Sequence, residues 1–80
     1  MCRAPPQDHP AWLLAERRAL GDRIRDRRMW RDLTQEKLAE AAGVSRDTVQ
    51  RIERGTSDPR YSQLARIARA LDTPLAELLS

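Results

Sequence analysis

The 80-residue sequence holds one cysteine, Cys2, and one histidine, His9. A lone thiol excludes a disulfide framework and the paired spacing of a zinc site, and it suits a reducing cytoplasm. His9 stands beside Pro10 with no nucleophile or carboxylate pattern around it, so it reads as a solvated side chain. Glycine-rich phosphate loops, paired-carboxylate constellations and metal-ligand clusters are all missing. The expectation is therefore a protein that is not an enzyme and uses no cofactor and no metal. No apolar run reaches the length of a signal peptide or a membrane span, which points to a cytoplasmic protein with no membrane partner. Internal repeats, strand-like alternation and low-complexity tracts are lacking too, which leaves an all-α reading.

What is present is charge, and nearly all of the positive charge is arginine: of fifteen basic residues only Lys37 is lysine. The net charge is just +3, too little for a polycation with unspecific grip. The bias is local, because Arg23, Arg25, Arg27, Arg28 and Arg31 face a single acid, Asp26, within nine residues. Phosphate neutralisation supplies much of non-specific DNA affinity, so this segment is either a DNA footprint or a solvated helix face. A chain of this length has room for one core and buries only ~60% of its unfolded surface.

Residues 34–55, TQEKLAEAAGVSRDTVQRIERG, carry the most information. Thr34 can cap a helix whose buried stripe is Leu38, Ala39 and Ala42. Gly43 follows the last apolar position, where helices commonly end in a left-handed conformation. Ser45 can cap a second helix, with Val49 and Ile52 facing inward and Arg46, Asp47, Gln50, Arg51 and Arg54 left outside. Two helices joined by a short glycine turn form the helix-turn-helix plan, whose second helix reads the major groove.

Further along, Asp58-Pro59 makes a turn and residues 60–71 form a helix with Leu64, Ile67, Ala68 and Leu71 inward. Thr73 is expected to cap a last helix with Pro74 at its first position. Upstream, residues 1–9 read as a disordered tail. Asp8 or His9 can cap a helix that starts at Pro10. From Ala11 the pattern stays helical, although Gly21 weakens it by ~1 kcal/mol relative to alanine. One long helix, or a short helix ending near Leu20 followed by another, both satisfy that pattern. Trp12, Leu13 and Leu14 make the leading segment apolar enough to require a packing partner, in this domain or in another subunit.

The segments LGDRIRDRR, LTQEKLAEAAGVS, TVQRIERG and LARIARALDTPLAELL together resemble the Cro/repressor-type (XRE-like) helix-turn-helix family over residues 20–79. The resemblance implies a five-helix lambda-repressor-like domain over residues 20–80, preceded by an extra N-terminal helical extension over residues 10–19. It also implies roles. Arg46 and Asp47, at the start of the reading helix, and Arg51 one turn later fall where the family touches bases; Gln50 faces the same way. Arginine can bond guanine O6 and N7 together, and Asp47 can accept from a cytosine amino group or hold Arg51 as an i,i+4 ion pair. We favour the second role for Asp47. Gln35, Ser45, Arg54, Thr56, Ser57 and Arg60 fall where phosphate contacts are expected, and such contacts set register without reading sequence. Arg28 and Glu53 match a largely buried ion pair. Asp32 stands where glycine or asparagine is usual, and aspartate tolerates a left-handed turn better than most residues. Trp30 replaces a commonly polar residue and is expected to pack against the leading segment, or else to form an exposed subunit contact.

The function implied is sequence-specific double-stranded DNA binding by a transcriptional regulator, with the helix Ser45–Arg54 in the major groove and a homodimer on an inverted repeat. The candidate dimer surfaces are Trp12, Leu13 and Leu14 on the leading segment and Leu75, Leu78 and Leu79 on the last helix. Without an inducer domain, regulation would come through another protein, or the chain is a fragment. The alternative is a protein-interaction module, such as an antitoxin that binds a toxin protein.

Overall fold

The computed structural model describes residues 10–79, so the expectations for the 1–9 tail, for Cys2 and for a cap at Asp8 or His9 lie outside the described residues. Five helices follow one another: α1 Ala11–Trp30, α2 Gln35–Ala42, α3 Arg46–Arg54, α4 Tyr61–Ala70 and α5 Leu75–Leu79. No strand occurs among the described residues, and the fold is all-α.

Of the two readings of the leading segment, the single long helix is the one observed: α1 runs unbroken through Gly21. The reason is contact rather than propensity. Gly21 is buried where α1 crosses the end of α3, and a Cβ there would lie 2.5 Å from the carbonyl oxygens of both Ile52 and Glu53. Only glycine permits so close an approach of two backbones. Gly55 does the same from the other side. It ends α3 at φ +74, and a Cβ on it would meet the Arg18 Cα at 3.0 Å. Residues 17–21 of α1 are thus packed against the end of α3, while Trp12 and Leu14 of the leading turns are exposed.

The helix ends follow local rules. The Lys37 amide donates to Thr34 Oγ1 at 3.0 Å and the Thr48 amide to Ser45 Oγ at 3.0 Å, which caps α2 and α3. Gly43 closes α2 at φ 73. Asp32 takes the left-handed conformation at φ 62, and Asp72 after α4 does likewise at φ 54. Gln63 holds the start of α4 by accepting from the Arg60 amide at 3.1 Å. Thr73 does not take the expected capping role: α5 starts at Leu75, and the Thr73 hydroxyl donates backwards to the Leu71 carbonyl. With Pro74 between them, Thr73 sits one residue too early to serve the first free amides of α5.

The core joins Ile24 of α1, Leu38, Ala39 and Ala42 of α2, Val49 and Ile52 of α3, Leu64, Ile67 and Ala68 of α4, and Leu71 and Leu78. Leu78 is therefore core and not a free subunit surface, while Leu75 is packed against the core and Leu79 is half exposed. Trp30 does not pack against the leading segment; it is 85% exposed. In one straight helix it lies eighteen residues from Trp12, ~27 Å at 1.5 Å per residue, out of reach of that end.

The arginine-rich stretch of α1 is not merely solvated. Arg23 donates to the Leu78 carbonyl at 3.2 Å, Arg27 pairs with Glu77 at 2.9 Å, and Arg28 pairs with Glu53 at 2.7 Å. Arg31 donates to the Leu71 carbonyl at 2.9 Å and reaches Asp72 at 3.3 Å. Four of the five arginines fasten α1 to α3, to α5 and to the end of α4.

Candidate nucleic-acid interface

Helix α3 is divided lengthwise. Val49, Ile52 and Glu53 are buried; Arg46, Asp47, Arg51 and Arg54 are exposed; Gln50 is half-buried at the border. Apolar side chains on one side hold the helix against α1 and α2, and this forces the charged set outward. Arg51 Nε lies 2.9 Å from Asp47 Oδ2, an i,i+4 pair with both side chains mostly exposed. Asp47 thereby holds the Nε edge of the guanidinium and leaves its two terminal amino groups out of the contact.

Beneath this face sits a buried network. Arg28 gives Nε and Nη2 hydrogen bonds to the two Glu53 oxygens, at 2.7 and 3.1 Å, and a third from Nη1 to the Leu33 carbonyl at 2.8 Å. The Glu53 side chain is 4% exposed and that of Arg28 13%. Gln35 adds a bond from Nε2 to Glu53 Oε1 at 3.0 Å. One carboxylate therefore joins α1, α2 and α3, which helps to set the angle between α3 and its neighbours. The tie of Gln35 to Glu53 was missed from sequence. It leaves Gln35 its carbonyl and one N–H for other contacts.

The remaining candidates fall into separate groups. Gln35, Thr34, Arg28 and Arg46 share a hollow between the starts of α2 and α3, together with Glu36. Ser45, Thr48 and Arg60 line a second hollow with Arg66, which the sequence reading passed over. Arg66 is six residues beyond Arg60 on the exposed side of α4, and its Nη1 comes within 3.3 Å of where a Cβ on Gly43 would be. Its signal was an outward cation following a helix start that faces the motif. Ser45 is both a cap and a neighbour of Arg60, with its hydroxyl 2.8 Å from that of Thr48. Thr56 and half-buried Ser57 lie at the opposite end of α3, where the Thr56 hydroxyl donates to the Arg51 carbonyl at 3.3 Å. The candidate phosphate ligands thus flank the outward row of α3 at both ends instead of forming one cluster.

Among the described residues no helix is long and apolar enough to cross a membrane. The helix-turn-helix family model HTH_3 matches residues 24–78. The chain is 40% identical over 58 residues to the cryptic phage CTXphi transcriptional repressor RstR of Vibrio cholerae, covering 72% of this chain and 52% of that protein. It is 48% identical over 48 residues to an uncharacterized HTH-type transcriptional regulator of Methanothermobacter thermautotrophicus, covering 60% of this chain and 70% of that one. The chain spans about half the length, or less, of the repressor and of other curated relatives it matches. Among solved structures, the restriction-modification controller protein C.AhdI from Aeromonas hydrophila superposes with a TM-score of 0.78 at 34% identity. That match covers 80% of this chain and 97% of the controller.

Proposed function

The chain belongs to the helix-turn-helix family, and from that premise we propose that it binds double-stranded DNA sequence-specifically as a transcriptional regulator. Helix α3 enters the major groove, and two copies meet on an inverted repeat. The observation that carries the reading is the outward row Arg46, Asp47, Arg51 and Arg54 on a helix whose other side is locked in the core. Arg46 and Arg51 read bases, Arg51 with its free fork directed by Asp47 at 2.9 Å. A fork on guanine O6 and N7 discriminates by ~1–3 kcal/mol. Gln50 borders the same surface. Ser45, Arg60 and Arg66 at one end of α3, Arg54, Thr56 and Ser57 at the other, and the free amide edge of Gln35 hold phosphates and fix register.

Selection from a randomised duplex pool, followed by salt titration of the winner, tests this. An enriched inverted repeat whose affinity falls steeply with salt is the expected result. A folded protein that enriches no sequence at low salt would sink the proposal. The exposure of Trp12 and Trp30 favours one second reading, a protein-interaction module of the antitoxin kind. In that case capture of a partner protein would survive Arg51→Ala and be lost with the tryptophans.

A further inference from the structure

Between α1, the loop after α3, and α5 lies a cavity of about 170 Å³ with apolar walls from Leu20, Pro59, Leu64 and Leu79, and with Arg17 at its edge. The Arg17 side chain is only 11% exposed, yet its Nε is buried without a hydrogen-bond partner, and its contact with Asp58 is long at 3.6 Å. Glu16, which also lines the cavity, is one helical turn from Trp12, whose indole is 67% exposed. A protruding aromatic side chain and a hole edged by a guanidinium with one unpartnered nitrogen therefore stand side by side on one face. An apolar cavity of ~150 Å³ holds a benzene ring, so this open one has room for the six-membered ring of an indole.

We infer that the hole receives Trp12 of a second copy of this chain, with the Arg17 guanidinium against the indole face. The inference rests on the dimeric part of the reading above and assigns its contact. A two-fold interface must be self-complementary, so a knob and its hole have to occur on the same surface of one subunit, as they do here. The rim is self-complementary in charge as well. Glu16 and Asp58 balance Arg17 and Arg23 around the opening, which suits a copy of itself better than a nucleic acid, which is uniformly negative. Stacking an arginine on tryptophan adds an electron-rich surface to a guanidinium whose ion pair inside the molecule is the long one to Asp58. Trp12 cannot fill its own cavity, because it projects into solvent from the same helix that forms one wall.

Sedimentation of the full chain over a concentration series is the test. Trp12→Ala should weaken dimerisation at least tenfold with unchanged helix content, and Leu79→Glu, at the half-exposed rim, should do the same. Mixing the two variants should restore dimers, since the mixed pair regains one intact knob and hole. In a Trp30→Phe background, Trp12 emission should shift to shorter wavelength as the chain dimerises. A wild-type chain that stays monomeric, a Trp12→Ala dimer of unaltered strength, or a mixture without recovery would overturn the assignment. Duplexes separate it from the DNA reading. With a single half-site, Trp12→Ala should bind as the wild type does, and only the inverted repeat should lose affinity. If no duplex is bound specifically while Trp12→Ala still dissociates the dimer, the DNA reading falls and this contact stands.

Discussion

Between Arg23 and Arg31, helix α1 carries five arginines, and four of them end on acceptors inside the molecule: Glu53, Glu77, Asp72, and the carbonyls of Leu33, Leu71 and Leu78. Helix α3 carries three, Arg46, Arg51 and Arg54, all on its exposed side, where Arg51 is steadied by Asp47 of the same helix. The residue type is the same, and the denser cluster is the internal one. What separates the two is the supply of acceptors across the interface, so a run of positive charge marks a binding face only after its internal partners have been counted. In α1 the guanidinium forks knit four elements together; in α3 the same fork geometry is left for something outside.

The comparison breaks most severely at Glu53. Glu53→Ala removes the acceptor of Arg28 and of Gln35 and strands a buried guanidinium, so the loss of unfolding free energy should be about 3–5 kcal/mol by denaturant titration. A loss below about 0.5 kcal/mol, the size of an exposed pair, would place Arg28 with the outward arginines of α3.

Gly21→Ala acts on the whole set at once. Helix propensity alone favours alanine by about 1 kcal/mol. The added Cβ, however, would sit 2.5 Å from two backbone carbonyl oxygens of α3, and backbone cannot yield as a flexible side chain can. We expect the steric term to win, with a net destabilisation of about 1–3 kcal/mol as in other overpacked sites. A gain in melting temperature would mean that α1 does not cross α3 so closely.

A paired experiment sharpens the contrast between the two arginine sets. Arg31→Ala should cost about 1 kcal/mol of stability, the net value of its bond to the Leu71 carbonyl, and leave the salt dependence of duplex binding unchanged. Arg51→Ala should leave stability within about 0.5 kcal/mol of the wild type, as expected for an exposed position, and relax preference at one base position of the selected duplex. If Arg31→Ala flattens the salt dependence by about one phosphate contact, α1 takes part in binding and the division fails.

Much of this was legible in the sequence because it is local. The caps at Thr34 and Ser45, the left-handed Gly43 and Asp32, and the inward stripe of α2 and α3 depend on residues within four positions of one another. The Arg28–Glu53 pair was legible through family resemblance, despite 25 residues of separation. The rest depends on what packs across from a residue. Gly21 looked like a weak point in a helix, since propensity counts what glycine lacks and not the carbonyls it lets approach. The acceptors of Arg23, Arg27 and Arg31 lie 40 to 55 residues away, where no periodicity shows them. Trp30 was expected to pack because it is apolar, but the unbroken helix carries it away from the apolar segment meant to cover it.

The smallest expected effect falls on the pair that resembles α1 in miniature, Asp47 with Arg51. An exposed i,i+4 ion pair contributes about 0.2–0.5 kcal/mol, and an acid in the first turn of a helix a few tenths more, so Asp47→Ala should hardly move the unfolding curve. Its consequence belongs to binding. If Asp47 aims the fork of Arg51, its removal should relax preference at the same base position that Arg51→Ala relaxes, and by less, because an unaimed fork still finds its base part of the time. The double variant should then bind as Arg51→Ala does alone, since an aiming residue has nothing left to aim. If Asp47 accepts from a cytosine itself, the two losses should instead fall at different base positions and add.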